Sequence, residues 1–110
     1  MSFQVFVTVH VYENEGHMVG QAFGKLWFSA APRIGEKIYI RREGLYTDGV
    51  FDAGLSEKVI VKDVVHIPGV NGDSSLTIEL EDVFADGPDR AKYILDYLCR
   101  NFDLELEFFM

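Results

Sequence analysis

The stretch FQVFVTVHVYE, residues 3–13, alternates between two kinds of side chain. The odd positions from 3 to 11 carry phenylalanine and four valines, whereas the even positions are mixed. A period of two that is rich in β-branched residues is typical of a β-strand with one well-buried face. The stretch therefore predicts a long strand whose second face is partly covered, in a protein that is mainly β.

Three further segments continue this pattern. QAFGKLWFS, residues 21–29, predicts a second strand in which Gly24 is a possible β-bulge. EKIYIRR, residues 36–42, predicts a third, entered through Pro32, because proline suits the start of a strand and not its middle. LTIELEDV, residues 76–83, alternates cleanly and predicts another strand.

The segment KVIVKDVVHI, residues 58–67, alternates with one slip. Its apolar residues keep to one face if an extra residue, a β-bulge, lies near Lys62 and Asp63. The pair Asn71-Gly72 that follows predicts a hairpin turn, because both positions of a type I′ turn need positive φ. The bulge would place the following residues on one side: Val59, Val61, Val64 and His66.

Residues 85–102 change to a helical period, with Pro88 in the first turn. DLELEFFM, residues 103–110, alternates again and predicts a final strand. The sequence thus predicts one domain over residues 1–110. About six antiparallel strands would curve into a small β-barrel with a C-terminal helix–strand extension. A helix packed on an open sheet is the alternative. The apolar stripe of the helix consists of Ala91, Ile94 or Leu95, Leu98 and Phe102.

Three segments together resemble a known pattern: PRIGEKIYI (32–40), VIVKDVVHIPG (59–69) and LTIELED (76–82). They are similar to small uncharacterised bacterial proteins in which Pro-x-x-Gly-Glu opens a strand and Val-x-Val-x-x-Val-x-His follows. The resemblance covers about half of the chain and implies an SH3-like β-barrel without an assigned activity. The long segment 43–57 and the C-terminal helix and strand depart from that pattern.

The net charge of −8 is concentrated in the second half of the chain, where residues 56–110 carry twelve acids and five bases. Nucleic acids and anionic membranes would be repelled, because their binding depends on lysine and arginine contacts. Cys99 is the single cysteine, so no internal disulfide is possible. No signal-peptide pattern and no run of 18 apolar residues occurs, and we expect a cytoplasmic protein.

His66 is the first candidate binding residue. It would act as a ligand or general base at the rim of the barrel near Pro68, or serve as a partly buried structural histidine. A pocket at the barrel mouth would use His66, Tyr39 or Arg41. The segment 43–57 is the second candidate, because it is too apolar for a plain solvated loop. It would form either a recognition surface or a satellite core through Tyr46, Phe51 and Asp52.

We predict no catalytic residue, metal site or cofactor. His10, His17, His66 and Cys99 show no metal-ligand spacing. Cys99 lies near the C-terminal end of the predicted helix, where the dipole disfavours a thiolate, so a buried and inert thiol is expected. Two carboxylate pairs, Glu79 with Glu81 and Glu105 with Glu107, are expected to point outward to solvent.

These observations favour a non-enzymatic protein-binding or self-assembly module. The segment LELEFFM closes the chain and would form an edge strand with Phe108 or Phe109 left to cover, which predicts a homodimer. The alternative is a small-molecule binder or enzyme at the barrel mouth around His66.

Overall fold

The computed structural model describes residues 3–13, 16–40, 58–69 and 75–109. Within these ranges the chain forms seven strands and one helix. Their order is β1 (Phe3–Glu13), β2 (Met18–Phe28), β3 (Lys37–Tyr39), β4 (Lys58–Ile67), β5 (Ser75–Leu80), β6 (Val83–Ala85), α1 (Pro88–Phe102) and β7 (Glu105–Phe108).

The long first strand β1 lies inside the sheet, whose order is β3-β4-β5-β1-β2-β7, and β6 also pairs with β1. β1 runs antiparallel to β2 but parallel to β5 and β6. The prediction of a purely antiparallel sheet is therefore wrong, and the sheet is mixed. Alternation along one strand gives the same pattern for both pairings, so it does not determine strand direction.

The sheet is open. β3 and β7 lie at its two ends, and no pairing joins them in the described ranges. The alternative prediction, a helix packed on an open sheet, matches this architecture. α1 packs across β1 and β2 and reaches β6 and β7.

The core lies between α1 and one face of the sheet. The alternating valines of β1 are buried, as the sequence predicts. The predicted apolar stripe of α1 faces them, and Tyr97 adds a buried ring beside it. The opposite face of β1 is half-buried, in agreement with the mixed pattern there. The buried residues of the two elements are Val5, Val7, Val9, Val11, Ala91, Ile94, Leu95, Tyr97 and Leu98.

The predicted bulge in β4 is confirmed, because the register with β5 shifts between Val61 and Asp63. The bulge suggested at Gly24 is wrong, since β2 pairs with β1 without interruption there and the irregularity lies at Val11 and Tyr12 instead. The cause is local. β2 begins at Met18, three residues before the predicted strand, and one extra residue is accommodated where β1 and β2 leave their turn.

The end of one predicted strand also differs from the structure. Val83 does not continue β5 but starts β6, which turns to pair with the far end of β1. The helix begins at Pro88, as expected, with Gly87 as its N-cap. The predicted Asn71-Gly72 turn lies outside the described residues. In the ranges given above, no helix is long and apolar enough to cross a membrane.

Candidate functional site: a groove between two strand edges

His66 lies near the end of β4, exposed to solvent and paired across the sheet with Leu76. A groove of about 360 Å³ lies beside it. Of the described residues that line this groove, His66 is the only ionisable one. None of the others can act as an acid or base toward its ring. The groove is lined by Gln4, Val5, Ala31, His66, Ile67, Pro68, Ser75 and Leu76.

Tyr39 does not lie near His66. It is on β3 opposite Lys58, at the other end of β4, and eight residues of extended strand separate the two positions by roughly 25 Å. The structure therefore does not bring these two candidates into one site. The remaining candidates, Arg41, Tyr46, Phe51 and Asp52, lie outside the described residues.

A larger groove of about 770 Å³ lies between β2, β3 and the C-terminal end of α1. This volume is within the range of natural ligand sites, and most of the lining side chains are apolar. β3 and β2 are separated by three strands in the sheet order, yet both border this space, so the sheet curls strongly around it. β1 supplies Val7 and Val9, β2 supplies Leu26 and Phe28, and β3 with the residue after it supplies Ile38 and Ile40.

The groove is bordered by strand edges. Residues 25–29 and residues 37–40 line it consecutively. Consecutive strand residues point to opposite faces, so they border one space only where the edge of the strand faces that space. β7 pairs with β2 only over residues 20–23, and β3 pairs only with β4. Within the described part of the chain, neither bordering edge has a strand partner.

The outer rim of the groove carries two lysines and two exposed aromatic residues, and the exposed Asp103 at the end of α1 also lines the groove. Lys25 and Lys37 are exposed, and neither takes part in an ion pair among the described residues. Trp27 is 66% exposed and Tyr39 is 56% exposed. In each strand these residues alternate with the side chains that point inward. Two lysines and one aspartate give the described lining a net charge of +1, whereas the chain as a whole carries −8.

The end strand on the β2 side of the sheet is β7. All four of its residues are exposed, and Leu106, Phe108 and the following Phe109 leave 37%, 48% and 43% of their surface uncovered. Gln21 donates a hydrogen bond to the Glu107 carboxylate, with 3.3 Å between Nε2 and Oε2. This is the edge that the sequence predicts as an association surface.

A charged cluster on the sheet was not predicted. His10 Nδ1 lies 3.4 Å from Glu79 Oε1, and Asp82 completes a group of three metal-capable ligands. The parallel pairing of β1 with β5 brings these side chains together, so their spacing along the chain does not predict the cluster. The Lys62 ammonium lies 3.8 Å from both carboxylates, so a cation of the protein itself offsets part of their negative charge.

Cys99 is half-buried on α1. Burial raises the pKa of its thiol above the ordinary range, and the nearby Asp96 carboxylate raises it further. The thiol therefore stays protonated near neutral pH and is a weak nucleophile.

Comparison with protein-family models, with curated protein sequences and with solved structures found no match to this chain.

Proposed function

We propose that this protein is a non-enzymatic self-assembly module that pairs with a second copy of itself through the outer edge of β7. The observation that carries this proposal is an edge strand whose outer backbone groups have no strand partner within the described ranges and whose apolar side chains are exposed. Such edges are templates for pairing with another chain. The isolated His66 and the protonated Cys99 thiol support a non-catalytic role.

The direction in which the backbone N–H and C=O groups of β7 point also supports pairing through its outer edge. The Phe109 amide donates to the Val19 carbonyl across 2.9 Å, and Glu107 lies opposite Gln21. Because hydrogen-bonding direction alternates along an antiparallel strand, the odd-numbered residues of β7 face β2. The N–H and C=O groups of Leu106 and Phe108 therefore point away from the sheet, toward a partner.

Two-fold symmetry limits how two β7 strands can pair. The same faces of both sheets must continue across the new edge, so apolar side chains meet apolar ones and carboxylates meet carboxylates. A pairing centred on Leu106 places Glu105 opposite Glu107, and a pairing centred on Glu107 places two copies of Glu107 face to face. These carboxylates would restrain association, which we expect to be reversible and in the micromolar range.

The experiment is a sedimentation comparison of single substitutions. Phe108→Glu adds a third carboxylate to the edge and removes an apolar contact, so it should convert the dimer to a monomer. Ile34→Glu is the matched control, because Ile34 is also 65% exposed but lies in the turn before β3. The proposal is contradicted if both variants sediment as the parent protein does.

We infer further that residues 32–82 are related to the small SH3-like bacterial proteins and that the protein acts in the cytoplasm. The relationship is supported by the way Pro32, Gly35 and Glu36 lead into β3. Gly35 and Glu36 both form backbone hydrogen bonds with Val61 of β4 at 2.9 Å. The alternative of a small-molecule or catalytic site at His66 is supported only by the groove of about 360 Å³, whose other described lining residues include no acid or base.

A further inference from the structure

We propose that the groove between β2 and β3 binds an extended peptide by strand addition, and that this peptide alternates apolar and acidic residues. The groove adjoins β7, because Asp103 and Leu104 directly before β7 line it, but no described residue of β7 itself does. This inference is therefore independent of the proposed dimer.

Strand addition follows from what borders the groove. The two edges, residues 25–28 and 37–39, have no strand partner among the described residues on the side that faces the groove. An inserted strand would form backbone hydrogen bonds to β2, to β3 or to both. A small molecule would leave most of these backbone groups without a partner, whereas a peptide supplies matching groups at every second residue.

The alternation of apolar and acidic residues in the peptide follows from the side chains of the bordering strands, which point inward and outward in turn. Inward-facing side chains of the bordering strands, such as Leu26, Phe28 and Ile38, are half-buried against the core. Apolar peptide residues would cover them. Outward-facing Lys25 and Lys37 would lie across from the alternate peptide residues, and opposite charges in such cross-strand positions attract.

The single tryptophan provides the readout. Trp27 lies on the β2 edge and is largely exposed, so a strand added there would change its environment and shift its emission to shorter wavelength. The probe is the heptapeptide acetyl-Glu-Leu-Glu-Val-Glu-Leu-Glu-amide, which contains no tryptophan. We expect a saturable blue shift on titration. A peptide of the same composition with all glutamates first, and one with N-methylated backbone, should give none.

Charge variants distinguish specific binding of the peptide at the lysines of the rim from a nonspecific effect of the protein's net charge. Lys37→Glu replaces an attractive cross-strand pair by a repulsive one and should weaken binding about fivefold. Lys92→Glu makes the same charge change at an exposed position of α1 outside the groove and should stay within about twofold of the parent.

Three results would overturn the proposal. The first is equal binding of the scrambled or N-methylated peptide, which would exclude strand addition. The second is a blue shift caused by decanoate but by no peptide, which would assign the groove to small amphiphiles. The third is loss of peptide binding in Phe108→Glu, which would move the site to β7; unchanged affinity in that variant supports the groove.

Discussion

The Tyr97 hydroxyl on α1 donates a hydrogen bond to the backbone oxygen of Ile40, with 3.0 Å between the two oxygens, and the contact is buried. It joins the helix to the residue that follows β3, although 57 positions separate the two in sequence. Ile40 also lines the larger groove. This bond therefore fixes one border of the groove relative to the helix.

Replacing Tyr97 by phenylalanine tests this connection. Tyr97→Phe removes the donor and leaves a buried carbonyl oxygen without this partner, which should lower the free energy of unfolding by about 1–2 kcal/mol. Urea denaturation followed by circular dichroism measures the change. Tyr39→Phe removes an exposed hydroxyl and is the control, expected within about 0.5 kcal/mol of the parent. Equal stability of the two variants would contradict the assigned role of the bond.

Gly20 should not tolerate a side chain. A Cβ atom there would lie 2.5 Å from the Glu107 backbone oxygen and 3.0 Å from Leu95 Cδ1. Gly20→Ala should therefore push β7 away from β2 and destabilise the protein by about 1–3 kcal/mol. Hydrogen exchange of the Phe109 amide, which bonds to Val19, should accelerate more than that of the α1 interior. Unchanged exchange at Phe109 would show that β7 does not lie so close to Gly20.

Removing a carboxylate from the β7 edge should strengthen self-association. Glu107→Gln relieves the repulsion between facing strands, and the expected gain is about 0.2–1 kcal/mol in dimer stability. Added salt should also strengthen the dimer of the parent protein, because it screens the repulsion between exposed carboxylates. Sedimentation equilibrium measures both. A weaker dimer in Glu107→Gln would contradict the proposed pairing of the edges.

Cys99 should react slowly with iodoacetamide. Because its pKa is raised by burial and by Asp96, the thiolate fraction at about pH 8 is smaller than for a free cysteine. The alkylation rate of the folded protein should rise as the pH rises beyond the ordinary thiol range. The same chain unfolded in urea is the control and should react faster at every pH below that range. Equal rates for the folded and unfolded chain would contradict the raised pKa.

Local patterns in the sequence predicted the local structure well. The alternation of residues 3–13 predicted β1 and its buried valines, and the slip at Lys62 predicted the bulge in β4. The spacing of Ala91, Leu95 and Leu98 predicted the buried stripe of α1. In each case the signal lies within a few residues, because it reflects which side of one strand or helix meets the core.

Relations between distant strands were not predictable in the same way. The parallel pairing of Thr8 with Glu79 places His10 beside Glu79. The sequence of each strand does not indicate which other strand it pairs with. The larger groove has the same origin, since it exists only because the sheet curls and stays open between β2 and β3. His66 could be named as a candidate from its residue type alone. Lys25 and Trp27 could not, because their position beside the groove depends on which strand edge is left unpaired.

The central claim is self-association through β7, and the most direct test is the mass of the parent protein by static light scattering at micromolar concentration. The chain has a mass of 12.5 kDa. The proposal predicts a mass approaching twice that value, which falls toward the single-chain mass on dilution. A mass of 12.5 kDa that stays constant as the concentration is raised would contradict it.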